Sequence, residues 1–116
     1  MKIENIDFYG KGGNGIEVHY GVTVKNCTFT GWDIAVYAGE GGSVGVESCI
    51  FRQNQIGLQY DTGHYSYFRG DYSGCVFEDN GIGFWSARLP GDDTLTFPNT
   101  IFGGNGVDIQ NDSGHK

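Results

Sequence analysis

At 116 residues the chain has room for one domain with a buried core, and 38% of it is apolar. A formal net charge of -7 argues against nucleic acid or an anionic membrane surface as partner. No run reaches the roughly 20 apolar residues of a membrane-spanning helix or forms a signal-peptide core, and 21 glycines without a collagen period belong to turns.

Read from the N-terminus, one short pattern keeps returning. Ile3–Phe8, Val24–Phe29, Val46–Phe51, Tyr72–Phe77 and Phe97–Phe102 align, with their Phe residues 21 to 26 positions apart. A period in that range marks a solenoid. After each Phe comes a second apolar pair spaced by two, namely Ile16/Val18, Ile34/Val36, Ile56/Leu58, Ile82/Phe84 and Val107/Ile109. That spacing is the one-face periodicity of a strand. Between the first apolar residue and the Phe stands a turn column of Asn5, Asn26, Ser48, Gly74 and Asn99. Asn and Gly tolerate left-handed backbone angles, so this column predicts a sharp bend at one place in every coil. Asn14-Gly15, Asn80-Gly81 and Asn105-Gly106, with Asn54 in register, mark a second corner. Three short strands per coil, bent at fixed corners, predict an all-β parallel β-helix of about five coils across residues 1–116. Rungs would repeat at roughly 4.8 Å. The repeat is already running at Ile3, which predicts a segment of a longer β-helix protein.

Those residues resemble the right-handed parallel β-helix proteins of the pectate-lyase-like superfamily, over nearly all of residues 1–111. The resemblance is carried by core and corner positions, so it implies a fold and leaves activity open among lyases, hydrolases, epimerases, phage tailspikes and surface proteins. It also implies a secreted or cell-surface location and a substrate groove on the strand that follows the second corner.

Cys27, Cys49 and Cys75 share one column with Ile6 and Thr100. They lack the paired ligand spacing of a zinc site, and stacked parallel Cβ vectors make poor disulfides. The expectation is buried thiols acting as small apolar groups.

Phe to the next Ile is five residues in four coils and eight in the first, where Gly10–Gly13 makes room. Most other length variation falls in the connection after the second apolar pair, which grows from 6 residues (Val18 to Val24) to 14 (Leu58 to Tyr72). Insertions confined to one edge of a solenoid tend to build its binding face. These loops hold Glu40, Asp61, His64, Asp71, Arg88, Asp92 and Asp93. Glu40, Asp61, Asp71, Asp92 and Asp93 could supply oxygens to calcium if the loops fold together; a solvated acidic rim is the alternative. Asp61, His64, Arg88, Asp92 and Asp93 are the candidates for catalysis. Gly63-His64-Tyr65 and Asp92-Asp93 match the hydrolase motifs of the resembling family only in fragments, and Ala35, Gly57 and Gly83 stand where its lyases carry calcium ligands. Arg69-Gly70-Asp71 spells an integrin-type tripeptide of a length common by chance.

The strand before the long loops gives the sharper expectation. Its outward residues are read as two columns, Glu17, Ala35, Gly57, Gly83, Asp108 and His19, Tyr37, Gln59, Trp85, Gln110. Small residues in the middle coils would leave a trough bordered by Tyr37 and Trp85. Aromatic rings beside amides and carboxylates suit a sugar, with an apolar C–H face and hydroxyls that need partners. Glu17, His19, Tyr37, Gln59, Trp85 and Asp108 are therefore the expected carbohydrate contacts, with no cofactor beyond an optional calcium. The alternatives are a catalytic fragment, and a structural scaffold that self-associates through unpaired strand edges.

Overall fold

Every coil turns at the same residue. Asn5, Asn26, Ser48, Gly74 and Asn99 all adopt left-handed angles, with φ of 61°, 54°, 53°, 64° and 53°. The conformation is cheap for Gly and tolerable for Asn, which is why this column reads so clearly in the sequence. A second left-handed column follows the Phe strand at Gly31, Gln53, Asp79 and Gly104. No shared residue type announces it.

The computed structural model describes residues 2–39, 43–61, 72–88 and 99–111. The first coil contains β1 (Lys2–Glu4), β2 (Asp7–Tyr9) and β3 (Asn14–Val18), and the second β4 (Gly21–Lys25), β5 (Thr28–Thr30) and β6 (Ile34–Ala38). The third holds β7 (Ser43–Glu47), β8 (Ile50–Arg52) and β9 (Ile56–Asp61), and the fourth β10 (Tyr72–Ser73), β11 (Val76–Glu78) and β12 (Ile82–Arg88). Two further strands, β13 (Ile101–Gly103) and β14 (Val107–Asn111), continue the stack, while the expected strand residues Phe97 and Pro98 lie outside the described residues. Corresponding strands pair in parallel, giving sheet A (β1-β4-β7-β10), sheet B (β2-β5-β8-β11-β13) and sheet C (β3-β6-β9-β12-β14). This is a parallel β-helix. Extents of 32 × 29 × 27 Å make it a stub as wide as it is tall.

Sheet B supplies the spine. Phe8, Phe29, Phe51, Phe77 and Phe102 stack ring on ring, with centroids 4.6 to 5.1 Å apart and planes within 7° of parallel. Phe29, Phe51 and Phe77 are wholly buried, each contributing roughly 1.5–3 kcal/mol by burial alone. Beside them Cys27, Cys49 and Cys75 are buried free thiols. The Sγ of Cys49 lies 3.3 Å from Glu47 O and 3.6 Å from Val24 O, and Cys75 repeats the arrangement one coil on. Burial pushes the Cys49 thiol up to about 12 and raises that of Cys75 as well.

The second corner is held by a ladder of side-chain amides. Asn54 Nδ2 donates to Asn80 Oδ1 at 3.0 Å, and Asn80 Nδ2 to Asn105 Oδ1 at 2.9 Å. Each amide also caps a carbonyl of the preceding coil: Asn54 that of Phe29, Asn80 that of Phe51, and Asn105 that of Phe77. In the second coil Trp32 takes over this task, its indole Nε1 donating to Phe8 O at 3.2 Å while its backbone N–H donates to Asn54 Oδ1. The larger ring needs space. A Cβ on Gly10 would fall 2.3 Å from the indole, so only glycine fits there.

Two expectations are corrected here. Asn14-Gly15 does not belong to the ladder: Asn14 pairs with Ile34, Ile16 with Val36 and Val18 with Ala38. The first coil therefore carries one extra residue before its strand, where the sequence reading counted three. Within the later apolar pairs Val36, Leu58 and Phe84 are fully buried, whereas Ile34, Ile56 and Ile82 are half-buried.

Buried Tyr60 closes the core near sheet A. Its hydroxyl donates to Val44 O at 3.1 Å and accepts from Val44 N–H at 2.6 Å. The described pairing of β10 reaches only Val46 and Glu47, so the phenol serves Val44 where that pairing stops.

Asn80→Ala removes the acceptor for both Asn54 N–H and Asn54 Nδ2 and the donor to Phe51 O, all at buried positions. Unfolding in urea should show a loss of about 3 kcal/mol or more, the order expected for three newly unpaired buried groups. A loss below about 1 kcal/mol would mean that the ladder does not hold the corner. A second expectation follows from the thiols. The folded state keeps the Cys49 proton up to about 12, whereas an unfolded thiol ionises near 9.0. The unfolded state thus binds fewer protons between these values, and stability must fall as pH rises through that window. Cys49→Ala should flatten this part of the stability–pH curve, and an unchanged slope would contradict the burial assignment.

Candidate functional site

Parallel register on sheet C brings five side chains from five coils into one outward column. Glu17 pairs with Tyr37, Tyr37 with Gln59, Gln59 with Trp85, and Trp85 with Gln110. Strand alternation makes the column face outward, because its neighbours face in. Val36 and Ala38 flank Tyr37 and are fully buried, and buried Phe84 and Ser86 flank Trp85. Tyr37 and Trp85 are half-buried, Glu17 is exposed, and Gln59 is only 8% exposed.

One end of this column is tied together by polar contacts. Asn14 Nδ2 donates to Glu17 Oε1 at 2.8 Å, and His19 Nε2 lies 3.8 Å from Glu17 Oε2. His19 belongs to the next row, in line with Gly39. A Cβ on Gly39 would sit 2.9 Å from His19 Cε1 and 3.0 Å from Tyr37 Cε2, so both rings converge over that glycine. The Tyr37 hydroxyl donates to Asp61 Oδ2 at 3.1 Å. Asp61 in turn pairs through its backbone with Arg88, across an irregularity between Ser86 and Arg88. Coils one to three thus gather a carboxylate–imidazole pair, a phenol and a second carboxylate. This set can accept hydrogen bonds from hydroxyl or ammonium groups and offers ring faces to an apolar surface.

The expected trough is not there. Ala35, Gly57 and Gly83 are buried. A Cβ on Gly57 would meet Gly83 O at 2.5 Å and Phe77 at 3.0 Å, and one on Gly83 would meet Asp108 O at 2.7 Å and Phe102 at 3.3 Å. Gly57 and Gly83 face the Phe spine and leave room for it, and Ala35 is buried in line with them. Glu17, read as part of that small column, belongs with Tyr37 instead, and His19 moves one row beyond. Asp108 does share the glycine column, but at the last described coil, where its Oδ1 accepts from Asn105 Nδ2 at 3.0 Å. It is far along the stack from the Glu17–Asp61 cluster.

Of the loop candidates, Asp61 joins the cluster and Arg88 is placed by backbone register. Glu40, His64, Asp71, Asp92 and Asp93, and the Arg69-Gly70-Asp71 tripeptide, lie outside the described residues. Among the described residues no three His, Cys, Asp or Glu side chains come together to hold a metal ion. The sequence reading passed over a shallow groove of about 630 Å³ along the second corner, bordered by Trp32, Asp33, Gln53, Gln55, Asp79 and Gly81. Asp33 Oδ2 accepts from Gly13 N–H at 2.9 Å. The signal was the pair Gln53 and Asp79 at left-handed φ, and it shows only once the second corner is located.

No curated protein and no solved structure matches the chain. One family does, described as right handed beta helix region, and the match runs over residues 1–116. With its parallel rungs and its two left-handed corner columns, the chain belongs to the right-handed β-helix family.

Proposed function

We propose that the chain is a carbohydrate-recognition segment that binds a polysaccharide along the outer face of sheet C without cleaving it. The observation that carries this reading is the Glu17–Tyr37–Gln59–Trp85–Gln110 column, one side chain per coil. Rungs repeat at about 4.8 Å, a spacing on the scale of one sugar ring. A regular polymer can therefore meet a regular series of contacts. Tyr37 and Trp85 offer ring faces to sugar C–H groups, and the Glu17 and Asp61 carboxylates and Gln110 meet the hydroxyls beside them, while Gln59, only 8% exposed, lies in the column between the two rings. Such a segment acts where polysaccharide is met, outside the cell or at its surface.

Isothermal titration with oligosaccharides, combined with product analysis, tests the reading. Saturable binding without new reducing ends is expected, and Trp85→Ala should weaken it about tenfold, in line with loss of one aromatic platform. Absence of heat with every glycan would remove the binding face. Undiminished affinity in Trp85→Ala would move the site off sheet C.

A further inference from the structure

Buried side chains that can form hydrogen bonds normally do so, and an exception needs a reason. Among the described residues the buried polar side chains are Asn54, Gln59, Asn80 and Ser86. Asn54 and Asn80 are paired in the corner ladder, and Ser86 also has a partner. Gln59 is the exception. It is only 8% exposed, yet among the described residues nothing forms a hydrogen bond with its side-chain amide.

This amide does not point into the core. Leu58 and Tyr60, its neighbours on β9, are wholly buried, so strand alternation turns Gln59 to the outer face of sheet C. There it lies in register between Tyr37 of the coil before and Trp85 of the coil after, with strands about 4.8 Å apart. The Tyr37 hydroxyl reaches past it to Asp61, two residues further along β9 and on the same face. The phenol therefore lies beside the amide and narrows access to it. What reaches Gln59 must be small: a hydroxyl on a flexible arm rather than a sugar ring.

We propose that Gln59 is the specificity-determining contact of this face, and that it selects hexose polymers with a free exocyclic hydroxymethyl group over pentose polymers that lack one. The inference rests on the sheet C binding face proposed above. When a sugar lies over the Tyr37 or Trp85 ring, its ring hydroxyls stay near the plane of the sugar. The hydroxymethyl arm can rotate out of that plane and down between the two side chains. Its hydroxyl can donate to the amide oxygen or accept from the amide N–H. A pentose keeps the stacking but seals the amide beneath it unpaired, and sites that hold a buried polar group discriminate against ligands that cannot pair with it. The same reasoning sets binding against stability. In the free protein the unpaired amide destabilises the fold, and an apolar side chain of similar length relieves it.

The test titrates the chain with β-linked oligomers of glucose and of xylose, matched in length and linkage and differing only in the hydroxymethyl group. The glucose oligomer should bind about tenfold tighter or more. Gln59→Met should bring the two affinities within about threefold by weakening the glucose oligomer, while its urea midpoint without ligand equals or exceeds that of the parent chain. Trp85→Ala should weaken both oligomers alike. Equal affinity of the parent chain for the two oligomers would overturn the role of Gln59 and leave the binding face standing. A glucose preference that survives in Gln59→Met would also overturn it. So would a lowered midpoint in that variant, which would mean that the amide supports the fold. If neither oligomer binds, the hexose rule is overturned, and the binding face falls with it only when the wider glycan titration above is also flat.

Discussion

The structure depends on in-register stacking of one coil on the next, and left-handed corner residues make that register repeatable. Once Asn5, Asn26, Ser48, Gly74 and Asn99 turn the chain at one place, the following Phe of every coil arrives over the last. The rings then stack at the rung spacing, and the Asn54–Asn80–Asn105 ladder locks the next corner by satisfying both side-chain and backbone groups. A slip of one residue would turn each Phe outward and leave the ladder carbonyls bare. Glycine at positions 57 and 83 belongs to the same constraint, since any side chain there would strike the Phe spine or the next rung.

That dependence explains what was legible in the residues. The first corner could be read because only a few residue types accept its backbone angle. The Phe spine was visible because it repeats without exception. The second corner was half hidden: its ladder shows as Asn, but its left-handed positions are Gly, Gln, Asp and Gly, and Trp32 performs the second coil's share with an indole N–H. Asn14-Gly15 imitated the ladder and shifted the reading of the first coil, which misplaced Glu17 and His19 by one row. The glycine column misled for a different reason. Glycine does not announce which face it occupies, and a gap kept for the core reads in sequence like a hollow on the surface.

Function follows the same geometry. Register turns five residues scattered from Glu17 to Gln110 into one line, and the Tyr37–Asp61 contact joins neighbouring strands of adjacent coils. The repeat alone lined up Tyr37, Gln59, Trp85 and Gln110, and only the register of the first coil shows that Glu17 and not His19 completes the line. It exists only because strands stack in parallel.

The most direct measurement is a map of backbone amide NMR shifts in the uniformly labelled protein as a glucosamine or glucose oligomer is added. The account predicts perturbations at Glu17, Tyr37, Gln59 and Trp85 together, rising with a single saturation curve. Perturbations centred on Asp33, Gln53 and Asp79 at the second corner, or scattered without relation to coil register, would contradict it.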